Sequence, residues 1–227
     1  YLTTGELIFI YHVELDYERV FQRVDANEAV YLRVADSNKG PLNREQVTKL
    51  EYNRGIRKFE EEPRPDFDTD DWDAELCQTY RESMNFEGSF EELAYNRNLA
   101  NRTPEGFVFK NAAILLFAKD PERYIPNARV RYVRYSGTER QSGKNFNAVK
   151  DEFFYGAIPT LIKKLESFME AVLRDYYYFD VQSGRFHMVP EFPKDAWLEG
   201  IVNALYHRSY NLQGNPVMIT HFDDRLE

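Results

Sequence analysis

The sequence is short of cysteine, of long apolar runs and of positive charge, and each shortage excludes something. One cysteine, Cys77, stands among 227 residues, so no disulfide can form within the chain, which suits a reducing cytoplasm. Cys77 follows the acidic stretch Asp71-Trp-Asp-Ala-Glu-Leu, whose negative charge disfavours a thiolate; it reads as a packing residue rather than a reactive thiol. No uninterrupted apolar run approaches the ~20 residues that span a bilayer. No signal peptide is visible, and no membrane partner is expected. The formal net charge is −9, so the chain lacks the overall positive field that coats nucleic acid. It has no Gly-x-Ser-x-Gly, no P-loop and no helicase motor motif, which leaves a serine hydrolase, a Walker-type ATPase and a helicase accessory without support. His12, His187 and His221 show no metal-ligand spacing and have no cysteine partner, so zinc is not expected.

What is present is the material of a folded domain. Hydrophobic residues make up 43% and charged residues 30%, and seventeen Phe with sixteen Tyr bury enough area to exclude a disordered chain. At 227 residues the chain exceeds the usual ~100–200 for one domain, so one large or two small domains are expected. It opens directly into a strand-like segment, Leu7-Ile-Phe-Ile-Tyr-His-Val13, and stops at Asp224-Arg-Leu-Glu227 where a strand should begin. It therefore reads as an internal piece of a longer protein.

Residues 6–14 and 29–35 have strand patterns. Asn43 is placed to cap a helix reaching about Arg57. Glu60 to Asp68 is acidic, holds two prolines and reads as a linker. Asp68 or Thr69 caps a helix to about Glu82, and Ser89 or Phe90 opens another through Tyr95. Lys110 to Ala118 is nearly all apolar; its two alanines favour helix over strand. Ala128 to Tyr135 alternates arginine with apolar residues as a half-buried strand does, with Arg129 and Arg131 on one face and Arg134 on the other. That arginine row suits a phosphate backbone or ordinary salt bridges. A long helix is predicted from Ala157 to Tyr176, with Tyr176-Tyr-Tyr-Phe179 packing its end into the core rather than stacking on bases. Gly184 turns into a short strand 185–189, a helix spans 194–208, and 216–222 returns as a strand.

The helix 194–208 carries the constellation of interest. Glu199, Asn203 and His207 recur at i, i+4 and i+8, which places them in one row on a helix face. A carboxylate and an amide oxygen one turn apart suit a hard cation and an attacking water. A site of that kind needs Glu199 and Asn203 to look inward into a cleft; the same row pointing to open solvent is what a solvated helix face looks like.

Glu199-x-x-x-Asn203-Ala204-x-x-His207-Arg208-x-Tyr210 resembles the signature of divergent ATPase-like proteins described as RecG-related helicases or transcriptional regulators. Such proteins pair a Schlafen-type AlbA-like domain with a domain related to the GHKL ATPases. Further likenesses follow in the family's order: Asn111 to Pro121, Arg131 to Thr138 and Asp223 to Glu227, with Glu28 to Val34 and Leu50 to Gly55 similar to the end of the AlbA-like domain.

The resemblance implies an α+β fold in which residues 1–60 are the trailing part of an AlbA-like DNA-binding domain, 61–103 a linker and small helical region, and 104–227 the first elements of a GHKL-like layer. It implies ATP and magnesium as cofactors, with Glu199 handling the attacking water and Asn203 coordinating the metal. His207 and Arg208 would lie on the nucleotide side, as phosphate contact or as structural residues, while Tyr210 packs. It further implies nucleic-acid binding through the AlbA-like domain, a homo-oligomeric, cytoplasmic bacterial-type regulator, and a magnesium-dependent ATPase in the longer protein, with turnover left open. The family's AlbA motifs and glycine-rich phosphate boxes are missing here, so the piece alone is expected to bind ATP weakly or not at all. The alternative is a non-catalytic scaffold that has lost nucleotide.

Overall fold

The computed structural model describes residues 29–34, 37–211 and 216–227. The strand expected over 6–14 lies outside the described residues. The chain divides into two units, Tyr1–Lys58 and Phe59–Glu227, and the fold is mixed α+β.

The described part of the first unit is small. Strands β1 (Leu32–Val34) and β2 (Ser37–Lys39) pair antiparallel, with Leu32 opposite Lys39. Helix α1 (Arg44–Asn53) starts on a capping box: the Asn43 side chain accepts from the Gln46 amide at 2.8 Å, and Gln46 accepts from the Asn43 amide at 2.9 Å. The helix ends earlier than the apolar pattern suggests, because Gly55 takes φ +70°, the left-handed conformation that closes helices.

In the second unit, Asp73 caps α2 (Ala74–Ser83), and a Ser89–Glu92 capping box starts α3 (Phe90–Asn96). The hairpin of β3 (Ala100–Thr103) and β4 (Gly106–Phe109) leads into α4 (Asn111–Phe117). These pieces close around Trp72, whose ring meets Phe67, Phe90 and Phe109 at 4.3, 5.1 and 4.8 Å between centroids. Cys77 is buried beside them, as its sequence context predicts. The acidic, proline-bearing stretch that reads as a linker is instead packed. The Arg64 amide donates to the Phe109 carbonyl at 2.7 Å, and the Asn111 amide to Glu62 at 2.9 Å. The buried Asn111 side chain donates to the Phe59 carbonyl at 2.8 Å. Backbone hydrogen bonds to the end of β4 and the start of α4 hold the strap down despite its polar composition.

The larger core lies under a three-stranded sheet ordered β6-β5-β9. Central strand β5 (Arg129–Tyr135) pairs antiparallel with β6 (Ala148–Tyr155) and parallel with β9 (Val217–His221). A parallel neighbour needs a crossover. Here the intervening chain supplies helix α5 (Ile158–Val172), the hairpin β7 (Asp175–Asp180) with β8 (Arg185–Pro190), and helix α6 (Lys194–Tyr206). Leu161, Leu165 and Met169 of α5 and Trp197, Ile201 and Leu205 of α6 recur every fourth residue and are buried against Val130, Tyr132 and Ile219. After β9 the chain turns back, and Thr220 and Glu227 exchange both backbone hydrogen bonds at 2.8 Å. Among the described residues no helix is long and apolar enough to cross a membrane.

Two readings need correction. Helix α5 stops at Val172, and Tyr176–Phe179 form a strand rather than a helix end. That strand is exposed, not core: Tyr176 to Phe179 are 51–68% accessible.

Leu165 is fully buried at the centre of the larger core. Leu165→Ala is expected to lower the unfolding free energy by about 2–5 kcal/mol in urea titrations, whereas Val181→Ala at the exposed hairpin tip stays within about 0.5 kcal/mol.

Candidate functional site

The orientation of α6 follows from its apolar stripe. Because Trp197, Ile201 and Leu205 turn inward, Glu199 and Asn203 come out on the exposed side. Neither side chain makes a hydrogen bond or ion pair with another described residue. Lys194 bridges Glu166 and Glu170 of α5 at 2.7 and 2.5 Å, tying the start of α6 to its neighbour. His207 is the exposed C-cap, its amide donating to the Asn203 carbonyl at 2.9 Å and its ring edge-on to Tyr206. Arg208 is half-buried with its guanidinium 5.2 Å from the Tyr210 ring centre. Tyr210 packs beside the cluster of Ile114 and Ile125, and its hydroxyl donates to the Leu205 carbonyl at 3.0 Å. Burial pushes the Tyr210 phenol up to about 12. The row is therefore an exposed Glu199–Asn203 pair followed by a packed Arg208–Tyr210 lock on the helix end.

A second constellation, which the sequence pattern did not single out, lies where β5 and β9 end. Val130, Tyr132 and Arg134 share the helix-facing side of β5, and Ile219 and His221 the matching side of β9, with Arg134 opposite His221. The Tyr132 hydroxyl lies 2.6 Å from His221 Nδ1, and His221 Nε2 lies 3.6 Å from Glu191 Oε1. Glu191 Oε2 accepts from the Arg174 amide at 3.0 Å. Both His221 and the Glu191 carboxylate are nearly inaccessible, at 2% and 8% of their side-chain surface. With Tyr132 donating to Nδ1 the ring proton sits on Nε2, which makes no hydrogen bond among the described residues: the Glu191 carboxylate is beyond hydrogen-bond reach. Burial pushes the Tyr132 phenol up to about 12, so it keeps its proton and serves as donor. The adjoining cleft of about 450 Å³ is also lined by Lys150, Arg174 and Asp223. Two of its three cations are paired: Arg134 with Asp223, and Lys150 with Glu152 at 3.1 Å. Period-two alternation from Ile219 to His221 was the signal that could have placed this histidine inward.

Elsewhere the arginines of β5 are engaged within the fold. Arg131 forms a two-pronged pair with Asp151 at 2.8 and 2.5 Å, and Arg129 and Arg131 both lie over the Phe153 ring. These contacts favour the salt-bridge reading of the row. A groove of about 740 Å³ between α2 and α3 is bordered by Arg81, Glu82, Glu87 and Glu91, with Cys77 at its floor. Burial, Asp73 and Glu91 push that thiol up to about 12, which leaves it inert. Neither this groove nor the cleft at the strand ends is lined by Glu199 or Asn203.

No family model matches the chain, and no curated protein matches it. Among solved structures the chain is similar to the crystal structure of the DIP2311 protein from Corynebacterium diphtheriae, at 18% identity and a TM-score of 0.50. The likeness covers 88% of this chain and 37% of that one, so the chain spans little more than a third of its neighbour's length. It speaks for the fold alone.

Burial, and then the Arg134 charge, hold the His221 imidazole below its ordinary value of 6.5, against the opposing pull of Glu191 and Asp223. The folded chain thus binds fewer protons than the unfolded one just below that value, so stability is complete above about pH 6.5 and falls as the pH drops. Urea titrations at pH 7 and 5.5 are expected to show this decline, and His221→Gln to flatten it.

Proposed function

We propose that the chain is the nucleotide-facing part of an ATP-binding, DNA-associated regulator of the RecG-related type. In this reading Asn203 gives its amide oxygen to a nucleotide-bound magnesium ion and Glu199 orients a water. What supports it is the likeness of Glu199-x-x-x-Asn203-Ala204-x-x-His207-Arg208-x-Tyr210 to that family's signature, on a helix whose opposite side is locked into the core; the pair's exposed position, where a metal–phosphate site needs a cleft, weighs against it. The donor set fits: magnesium is held through one or two protein oxygens, with the nucleotide's phosphates and water completing its shell. When bound, that ion neutralises phosphate charge. The residues' own part is to present a carboxylate and an amide oxygen at fixed spacing, which a rigid helix anchored by Trp197, Ile201 and Leu205 does well. DNA association and the regulatory role rest on the resemblance of residues 28–55 to the end of an AlbA-like domain.

A scaffold that has lost nucleotide is the second reading, favoured by the position of Glu199 and Asn203 outside both concave regions described above. Calorimetric titration of the intact natural protein with ATP and magnesium separates the two. On the first reading Asn203→Ala weakens magnesium-dependent binding at least about tenfold, the scale of one lost charge-assisted contact. Because the residue is exposed, the melting temperature stays unchanged. Unaltered affinity in that variant rules the role out, and wild-type protein that binds no ATP establishes the scaffold.

A further inference from the structure

The β7–β8 hairpin pairs with no third strand among the described residues. Its register sorts the side chains into two unlike faces. On one, Tyr177 stands opposite Met188 and Phe179 opposite Phe186, with Asp175 opposite Pro190 at the base. The first four are 68%, 57%, 51% and 74% exposed, and Val181 at the tip is 84% exposed. The Tyr177 hydroxyl reaches the Met188 sulfur at 3.4 Å, and the two Phe rings lie 5.1 Å apart, so the patch is continuous. The other face interleaves charge: Tyr176 with Val189, Tyr178 with His187, and Asp180 with Arg185. The hairpin is held at its base, where the Glu191 amide donates to the Arg174 carbonyl at 2.7 Å and Glu191 reaches back towards His221. Its position is thus set by the sheet, but its apolar face is bare. An isolated two-stranded ribbon is marginal in water, and a contiguous exposed apolar patch marks an interface.

We propose that the Tyr177–Phe179–Phe186–Met188 face is a dimerisation surface, packed on the same face of a second copy across a two-fold axis. Charge selects this occupant. The face carries a single charge, the carboxylate of Asp175 at its base opposite Pro190, and the whole chain is at −9, so a nucleic acid finds no cationic track here. A two-fold axis that crosses the strands sets each copy's Asp175 at the other copy's hairpin tip, so the face laid on itself brings no like charges together. The area is also sufficient. An aromatic side chain buries roughly 150–250 Å². With half to three-quarters of each side chain exposed, the patch offers on the order of 500 Å² per copy, and so about 1,000 Å² in total, the lower limit of a specific interface. A weak, concentration-dependent dimer follows. The surface is argued from the hairpin alone and does not depend on nucleotide binding.

Sedimentation equilibrium of the full chain from about 1 to 200 µM, a range spanning weak protein association, is expected to show the 26.9 kDa monomer passing to twice that mass. Phe186→Glu is expected to raise the dimer dissociation constant at least about thirtyfold, the effect of losing one buried aromatic anchor. Tyr178→Glu on the opposite face leaves dimerisation intact and controls for general disruption of the ribbon. Circular dichroism and the melting temperature verify that both variants stay folded. A wild-type chain that remains monomeric throughout overturns the proposal. So does a dimer indifferent to Phe186→Glu, or a monomer that captures a single-stranded oligonucleotide through Phe186.

Discussion

The organising contact of the larger unit is the burial of one face of β5 under two helices. Val130 and Tyr132 meet Leu161, Leu165 and Met169 from α5 and Trp197, Ile201 and Leu205 from α6, while Val133 and Tyr135 on the reverse face meet Phe222. Because β9 joins β5 in parallel, the chain must cross over, and that crossover is what carries the hairpin and α6. The remaining features are consequences. Trp197, Ile201 and Leu205 must point in, so Glu199 and Asn203 must point out. Tyr132 must lie under the helices, so its hydroxyl needs a buried partner, and His221 on the neighbouring strand is in register to provide one.

Polar interactions divide into two kinds. The pairs Arg131–Asp151, Arg123–Asp71 and Lys194–Glu170 are solvent-exposed, and such pairs contribute about 0–1 kcal/mol each. Their effect is to neutralise arginines that would otherwise form a basic stripe. The Tyr132–His221 hydrogen bond is buried beside Glu191; it satisfies the hydroxyl and Nδ1, while Nε2 has only the carboxylate 3.6 Å away. The hairpin's base is held by the Glu191 amide on the Arg174 carbonyl.

Legibility in the sequence followed the strength of the local signal. Asn43 and Ser89 are N-caps where expected, because capping is a contact between residues two or three apart; Asp68 caps only a 3-10 turn, Thr69–Asp71, and the helix expected from there starts at Ala74 on Asp73. Asn111 to Phe117 is helical, as its alanines favoured, and the alternating arginine strand is where its period placed it. Strand β6 left no comparable trace. It is a sheet-edge strand with Lys150, Asp151 and Glu152 in succession, and only pairing with β5 makes it a strand. Tyr176–Phe179 misled for the opposite reason: four aromatics argue for core, yet their opposite neighbours Arg185 to Val189 form only a two-stranded ribbon with nothing on either side among the described residues.

The amino-acid order alone determined the α+β class, the inert cysteine, the main helices and the one-face spacing of Glu199 and Asn203, since each depends on composition or on contacts within about two helical turns. Tertiary structure decided which way that face points, which arginines are matched, that the polar strap is packed, that His221 is buried and that the aromatic run is bare. Those outcomes depend on register between segments dozens of residues apart, and register is set by the shared burial of distant side chains, which no local pattern encodes.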